Sequence, residues 1–195
     1  MLDADDASRG ELLFGLGEAA TFAGAEEEAV VAFDTARAWF AQAGDSRAAG
    51  RAAQRLGQAW WRQEAIPAAR AAFETALVAL ADHPCADTVE ALVDLGTLLA
   101  VNLHQQANGI AYGRRALEMA RRLEDDRLVA AASRAVGNLL VRANNLEAGI
   151  PLLEHALALA PAADEPAEGA ECCASLAMAY FWDGQMHRSE ACTRA

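Results

Sequence analysis

The cysteine and histidine residues of this 195-residue chain are its first candidates for metal binding or nucleophilic catalysis. One cluster near the end of the sequence combines both types: Cys172, Cys173, His187 and Cys192. Its spacing matches no standard zinc-ligand pattern. The other histidines are scattered, and none stands in a convincing relation to a serine or cysteine nucleophile. We therefore expect no metal site and no catalytic residues, with the cysteines acting as small buried hydrophobic side chains.

A short glycine-containing phrase matches a cofactor fingerprint. Residues 15–20 read Gly-Leu-Gly-Glu-Ala-Ala, which fits the G-x-G-x-x-A pattern of dinucleotide-binding proteins. That pattern binds a pyrophosphate only where a strand leads through the glycines into the helix of a βαβ unit. No strand is predicted before Gly15. The sequence therefore predicts no cofactor, and it favours a protein that is not an enzyme.

Arginine supplies every basic side chain: 16 basic residues stand against 28 acidic ones, for a formal net charge of −12. A guanidinium suits bidentate carboxylate capture better than an ammonium does, although a GC-rich genome is the simpler explanation for the absence of lysine. The negative charge argues against direct nucleic-acid binding, because phosphate contacts require a basic surface. An acidic start without a signal-peptide pattern and the lack of any uncharged apolar run of about 20 residues predict a cytoplasmic protein without a membrane helix.

A two-residue phrase returns five times and indicates how the elements that carry these side chains are organised. It occurs, at nearly equal steps, as Leu16-Gly17, Leu56-Gly57, Leu95-Gly96, Val136-Gly137 and Leu176-Ala177. A fixed period of about 40 residues indicates stacked supersecondary units. The chain is rich in alanine, the best helix former, and poor in β-branched residues. We therefore expect an all-α chain.

Each period contains two helical patterns separated by a turn signal. The second period predicts one helix over about 48–62 and another over about 67–81. The turns are predicted at Ala23-Gly24, Asn108-Gly109 and Asn144-Asn145, with residues 161–166 separating the last two periods. The sequence leaves open whether the helix that contains Pro151 begins near Leu146, which would kink it, or nearer Ala148.

The full phrase of a period is Leu-Gly-x2-aromatic followed by Ala-x3-Phe-x2-Ala, and it resembles the tetratricopeptide repeat. The second period carries it best, in Leu56, Gly57, Trp60, Ala69, Phe73 and Ala76. The third period fits with one residue inserted in its turn, giving Gly109, Gly113 and Ala116. The resemblance implies a right-handed α-solenoid of antiparallel helix pairs, with about five repeats of which the last is incomplete. The expected single array covers 1–195, with repeats near 7–45, 46–84, 85–126, 127–166 and 167–195.

The period is longer than the usual length of about 34 residues. In this it resembles the repeat regions of bacterial LuxR-type (MalT-like) and AfsR-type regulators. That resemblance implies a non-catalytic module that binds a protein or peptide, an acidic one included, as the sensing or scaffolding segment of a bacterial transcriptional or signalling regulator. The alternatives are a domain that senses a small-molecule effector, and a self-association module that forms a homodimer through its open C-terminal end.

In arrays of this kind the first helix of each pair lines an inner groove. Carried over by register, the groove residues are Arg51, Gln54, Arg55, Gln58, Trp61, Arg62, Asp94, Thr97, Arg134, Asn138, Arg142, Met178 and Trp182. Five arginines on one surface of an acidic chain, with polar donors and aromatic rings beside them, suit an extended peptide or an acidic ligand. The alternative is an ordinary face whose arginines are solvated or paired with nearby acids.

Overall fold

The computed structural model of the chain describes residues 4–159 and 166–194, and within them it contains helices and no strand. The helices are α1 (Ala4–Phe22), α2 (Glu26–Ala43), α3 (Ser46–Arg62), α4 (Ile66–Ala79), α5 (Ala86–Val101), α6 (Gln106–Arg122), α7 (Asp126–Arg142), α8 (Leu146–Leu159), α9 (Pro166–Trp182) and α10 (Met186–Arg194). The predicted all-α class and the pairing of helices within each period are confirmed. The predicted separator at 161–166 lies almost wholly outside the described residues.

Each helix pair is closed by a tight turn that holds one residue in the left-handed region. These residues are the evenly spaced Gly24, Glu64, His104, Asn144 and Gly184, with φ between 56° and 77°. The amide that follows each of them donates to a carbonyl near the end of the preceding helix, as Ala65 N does to Trp60 O at 3.0 Å. This pattern of closure is common at helix C-termini. The spacing of these turn residues is therefore more regular than the spacing of the Leu-Gly phrase.

The turn predicted at Asn108-Gly109 is wrong. Both residues lie inside α6, which begins at Gln106, and the connection occupies residues 102–105. Gly109 is buried against α5, where a Cβ on Gly96 would lie 2.8 Å from the Gly109 carbonyl oxygen. The predicted insertion in this repeat is nevertheless confirmed, because the connection has four residues where α3 and α4 are joined by three.

The chain forms two compact units, Met1–Leu95 and Gly96–Ala195. In the first unit the repeat glycines receive aromatic rings. A Cβ on Gly17 would lie 2.6 Å from Phe33, and one on Gly57 would lie 2.5 Å from Phe73. Both phenylalanines are fully buried. The small residue therefore makes room for a buried ring. Truncation of such a ring to alanine lowers the free energy of unfolding by about 3–5 kcal/mol.

In the second unit the same position is filled in two ways. Gly137 receives the side chain of Leu153 at 2.8 Å, as Gly17 and Gly57 receive their rings. Gly96 instead meets the backbone of Gly109, so α5 and α6 approach more closely than side chains would allow. Close approach of the two backbones is therefore found chiefly in the third repeat.

Helix α8 begins at Leu146 and includes Pro151, which answers the question that the sequence left open. Proline has no N–H to donate to the carbonyl of Glu147, four residues earlier. Both residues are exposed, so water can bond that carbonyl. The opposite side of the helix still buries Leu153 completely.

Candidate ligand-binding sites

In the first unit, the predicted groove arginines are ion-paired across neighbouring repeats. Arg51 Nη2 donates to both carboxylate oxygens of Glu11, at 2.8 and 2.9 Å. Arg62 Nε donates to Glu26 Oε1 at 2.7 Å, and its Nη2 donates to the Thr21 hydroxyl at 3.2 Å. These charge-assisted hydrogen bonds fix the side chains on α3. They also occupy the donors that a ligand carboxylate would need.

Asp94 is the centre of a second polar cluster on this face. Its Oδ2 accepts from Gln54 Nε2 at 2.7 Å and from Gln58 Nε2 at 2.9 Å. Burial raises the pKa of Asp94 to about 6, and the two amide hydrogen bonds oppose that rise. Arg55 donates to Gln58 Oε1 at 3.1 Å and lies 3.8 Å from Glu90. The charged groups and the amides of this cluster therefore interact with one another.

A cavity of about 300 Å³ opens beside these residues. It is lined by Glu18, Thr21, Phe22, Phe33, Arg55, Gln58 and Arg62. Both of its arginines are engaged by acids of the same unit. Trp61, predicted to face the groove, is half-buried against the Phe73 ring, with centroids 6.1 Å apart and ring planes at 83°, and it does not line this cavity. We call the cavity the first cavity.

In the second unit, only part of the predicted groove is open. Arg134 Nη1 lies 2.8 Å from Glu171 Oε2, so this arginine is also paired. Thr97 and Asn138 are half-buried. Met178 is 49% exposed and Trp182 is 51% exposed, one turn apart on α9, with exposed Phe181 beside them. Three large apolar side chains in contact with water on one helix face are typical of a binding surface.

A second cavity, of about 230 Å³, lies at the end of this face. It is lined by Ala100, Val101, His104, Gln106, Leu139, Arg142 and Trp182. Arg142 is exposed, and among the residues that the structure describes it has no hydrogen-bond or ion-pair partner. An unpaired guanidinium beside a half-exposed indole can bind a carboxylate and an apolar group at the same time.

The two cavities occupy equivalent positions in their repeats. Arg62 and Arg142 are the last residues of α3 and α7, and Glu26 and Gln106 are the first residues of α2 and α6. In the first cavity the arginine is held by the carboxylate of Glu26. At the equivalent position of the third repeat stands Gln106, whose neutral amide lines the second cavity. Within the described residues, no acid therefore stands beside Arg142 at the place where Glu26 stands beside Arg62.

Sequence reasoning missed the residues that pair with the groove arginines. Glu11, Glu26 and Glu90 do not belong to the groove set, and neither does Gln106 of the second cavity. The repeat register contained a signal, because Glu11 in α1 occupies the position that Arg51 occupies in α3, one full period later. An acid and an arginine at equivalent positions of adjacent repeats face each other when those repeats stack.

Within the described residues, no group of three or more histidine, cysteine, aspartate or glutamate side chains is arranged to hold a metal ion. Of the candidate zinc residues, Cys172 is fully buried, and Cys192 packs beside the apolar cluster of Leu176 and Tyr180. None of the described helices combines the length and the apolarity that a membrane crossing requires.

No protein-family model and no curated protein sequence matches the chain. Solved structures do match. BtubC (BKLC) from P. vanneervenii superposes with a TM-score of 0.80 at 19% identity, over 93% of this chain and 76% of BtubC. A Podospora anserina putative kinesin light chain with TPR-like repeats gives a TM-score of 0.77 at 14% identity, over 100% of this chain and 94% of its own.

The Rap conjugation gene regulator of the plasmid pLS20, solved in complex with the Phr* peptide, gives a TM-score of 0.75 at 14% identity. The alignment covers 96% of this chain and 52% of the Rap protein, so this chain spans about half of that regulator. At these identities the likeness shows the fold alone. The fold is an α-solenoid of TPR-like repeats, and the predicted resemblance to the tetratricopeptide repeat is confirmed.

Proposed function

With the TPR-like repeat fold as the premise, we propose that this chain is a non-catalytic binding module. It takes a peptide segment that places one carboxylate and one apolar side chain in the second cavity. The observation that carries the proposal is Arg142, which lacks a partner among the described residues and lines the cavity with Trp182. The equivalent Arg62 is already ion-paired with the carboxylate of Glu26.

The size of the second cavity indicates what part of a ligand it receives. Its volume of about 230 Å³ is below the range of about 300–1,000 Å³ that encloses a drug-sized molecule. It suits one side chain or one chain terminus of a longer segment. Arg142 offers a planar pair of donors to a carboxylate, and the indole of Trp182 offers an apolar surface beside it.

The rest of the peptide can lie along the exposed side chains of α9. Met178 and Phe181 are exposed next to Trp182, and methionine and aromatic residues are enriched at protein–protein interfaces. The chain carries a net charge of −12, so a strongly acidic peptide would be repelled at long range. A mainly apolar segment with a single carboxylate fits this face better than the acidic peptide that the sequence also allowed.

A free small carboxylate with an apolar group uses the same chemistry and is the alternative ligand. We further propose that the module is the sensing or scaffolding part of a bacterial regulator in the cytoplasm. The fold that this chain shares with the peptide-bound Rap regulator supports that role. Reading the remainder of the gene tests it: an ATPase segment on one side and a DNA-binding segment on the other support it, and a gene without either contradicts it.

The binding test starts from a random peptide library displayed on phage and selected on the intact chain. Selected peptides are labelled, and their affinities are measured by fluorescence anisotropy. We expect Arg142→Glu to weaken binding tenfold or more, because the variant places a carboxylate against that of the ligand. Trp182→Ala should weaken it severalfold through loss of the apolar surface. Amidation of the peptide carboxylate should weaken binding to the wild type and leave binding to Arg142→Glu almost unchanged.

Arg114→Glu is the matched control, since Arg114 is exposed in the same unit and does not line the cavity. It makes the same change in net charge and should leave the affinity within twofold. Equal losses in Arg114→Glu and Arg142→Glu would reduce the effect to overall charge and contradict the proposed site. A selection that enriches no peptide contradicts the peptide-binding function itself.

A further inference from the structure

Helix α6 concentrates positive charge on its exposed side. All four of its arginines are exposed, namely Arg114, Arg115, Arg121 and Arg122. We call these four residues the α6 face. Glu118 is the one acidic residue of the helix, in a chain whose acidic residues outnumber its basic ones by 28 to 16. The α6 face is therefore a local reversal of the charge of the chain.

The position of Arg114 is acidic in α2, α4 and α8, which are also second helices of their repeats. When these helices are aligned on Ala116 and its fully buried equivalents, Arg114 takes the place of Asp34, Glu74 and Glu154. Each of these three acids is ion-paired with an arginine of its own unit. The position thus serves an internal ion pair in those helices, and in α6 its charge has the opposite sign.

Two guanidinium groups of the α6 face are not engaged within the described part of the chain. Arg114 and Arg121 have no hydrogen-bond or ion-pair partner there. Arg115 lies over the Tyr112 ring, with its guanidinium carbon 5.3 Å from the ring centroid, and Arg122 makes an ion pair within the helix. Most of the predicted groove arginines are instead held by acids of neighbouring helices. The α6 face therefore retains donors for a carboxylate from outside.

The spacing of the four arginines follows the helical repeat. Arg114 and Arg121 are seven residues apart, which is about two turns and about 10 Å along the axis, and the other two arginines have the same spacing. Acids seven residues apart on another helix recur at the same interval. A guanidinium binds a carboxylate through two parallel hydrogen bonds. Exposed Ala107 and Ala111 continue the same side of α6 with small side chains, beside which a second helix can lie closely.

We propose that the α6 face docks an acidic helical segment of a partner protein, with two carboxylates two turns apart opposite Arg114 and Arg121. The net charge of −12 repels such a segment at long range. Charges more than about 8 Å away are screened at physiological ionic strength, so a docked segment interacts mainly with the arginines beneath it. A nucleic acid fits less well, because its phosphates extend beyond four arginines onto an acidic chain. The site is independent of the second cavity and of the function proposed for it.

The experiment uses a labelled alanine-based helical peptide of about 20 residues that carries glutamate pairs seven residues apart. It is titrated into the intact chain at low ionic strength and followed by fluorescence anisotropy, and saturable binding is expected. The double variant Arg114→Glu/Arg121→Glu should weaken binding at least tenfold. A peptide of the same composition, with its glutamates spread around the helix, should bind severalfold more weakly. Raising NaCl from about 50 to about 300 mM should weaken binding severalfold, because salt screens the ion pairs.

Arg47→Glu/Arg142→Glu is the matched control, because both arginines are exposed outside α6 and have no ion-pair partner among the described residues. It makes the same change in net charge and should leave the affinity for this peptide within twofold, and circular dichroism verifies that both double variants keep their helicity. Equal losses in the two variants, equal binding of the two peptides, or no binding to the wild type would each overturn the proposal.

Two other occupants of the α6 face are tested in the same way. Tighter binding of a single-stranded oligodeoxynucleotide than of the peptide, lost in Arg114→Glu/Arg121→Glu, would give the face to phosphate groups and overturn the proposal. A dimer detected by light scattering, abolished by the same variant and accompanied by no peptide binding, would give the face to a second copy and also overturn it. Since the cavity test depends on Arg142 and this one does not, failure of either proposal leaves the other standing.

Discussion

The first and second cavities occupy equivalent places in two pairs of repeats, yet the arginines of the first are paired with acids, whereas Arg142 of the second has no partner among the described residues. In the first cavity Arg62 is bound by Glu26 and Arg55 lies near Glu90. In the second cavity Arg142 faces an interior that offers a glutamine and an indole instead of an acid. The helices are alike in the two places. The difference lies in which side chain begins the second helix of the pair.

This comparison shows how a repeat fold separates structure from recognition. The stacking of helices creates a cavity at the same place in both units, because the evenly spaced turns return the same backbone geometry. An acid that pairs with the arginine turns it into a structural contact between repeats. A neutral residue there leaves the arginine available to a ligand. Three sets of measurements test this division, and they follow in order of expected effect.

Charge reversal at Arg55 should affect stability and not binding. Arg55→Glu places a third carboxylate beside Glu90 and half-buried Asp94. We expect the free energy of unfolding, measured with urea, to fall by about 3 kcal/mol, because like charges then meet in a partly desolvated cluster. Peptide binding to the second cavity should not change. A variant that keeps full stability would show that Arg55, like Arg142, makes no stabilising ion pair.

The stability of the first unit should depend on pH through Asp94. Burial raises the pKa of Asp94 from 3.8 to about 6 in the folded chain, so the folded state binds the proton more tightly than the unfolded state does. The contribution of Asp94 to the free energy of unfolding should therefore be greatest below about pH 4 and be lost as the pH rises through about 6. The total loss should be about 2 kcal/mol, allowing for the partial exposure of the side chain.

Urea titrations between pH 4 and pH 7 measure this loss. Asp94→Asn has no charge to lose at this position and should show a flatter pH profile than the wild type. Parallel pH profiles for the two proteins would mean that Asp94 is not the titrating group, and would contradict the role assigned to the Asp94 cluster.

Giving Arg142 a carboxylate partner of its own should weaken ligand binding to the second cavity. Gln106→Glu gives Arg142 the carboxylate that Arg62 has in Glu26. We expect the affinity for carboxylate peptides to fall about tenfold, equivalent to about 1.4 kcal/mol, with stability unchanged or slightly raised. The reciprocal change, Glu26→Gln, should lower stability by about 1 kcal/mol. Undiminished peptide affinity in Gln106→Glu would mean that Arg142 does not bind the carboxylate.

The fold could be predicted from the sequence because its rule is local and repeated. The Leu-Gly phrase and its partners at fixed offsets identified helix pairs and the inserted residue of the third repeat. The Asn108-Gly109 turn failed for a physical reason. Asn-Gly is a strong turn signal by itself, but Gly109 serves a contact with Gly96 of the preceding helix that no local signal reveals.

The candidate sites could be predicted only in part. The register placed the arginines on one face of their helices, but it does not say whether each arginine has a partner. That outcome depends on acids in the neighbouring repeat, such as Glu11 for Arg51 and Glu171 for Arg134. Trp61 shows the same limit at shorter range, since the register placed it toward the groove and its ring packs against the Phe73 ring.

The turn residues carry a consequence for engineering. Glu64, His104 and Asn144 hold left-handed backbone angles that Gly24 and Gly184 adopt freely at equivalent places. An ordinary side chain in that region costs about 1–2 kcal/mol, and asparagine costs less. Glycine at positions 64 and 104 would relieve that strain. It would also raise the conformational entropy of the unfolded chain, which opposes folding and offsets part of the gain. The thermal tolerance of the module can thus be adjusted at connections outside the hydrophobic core, and position 64 also lies away from both cavities.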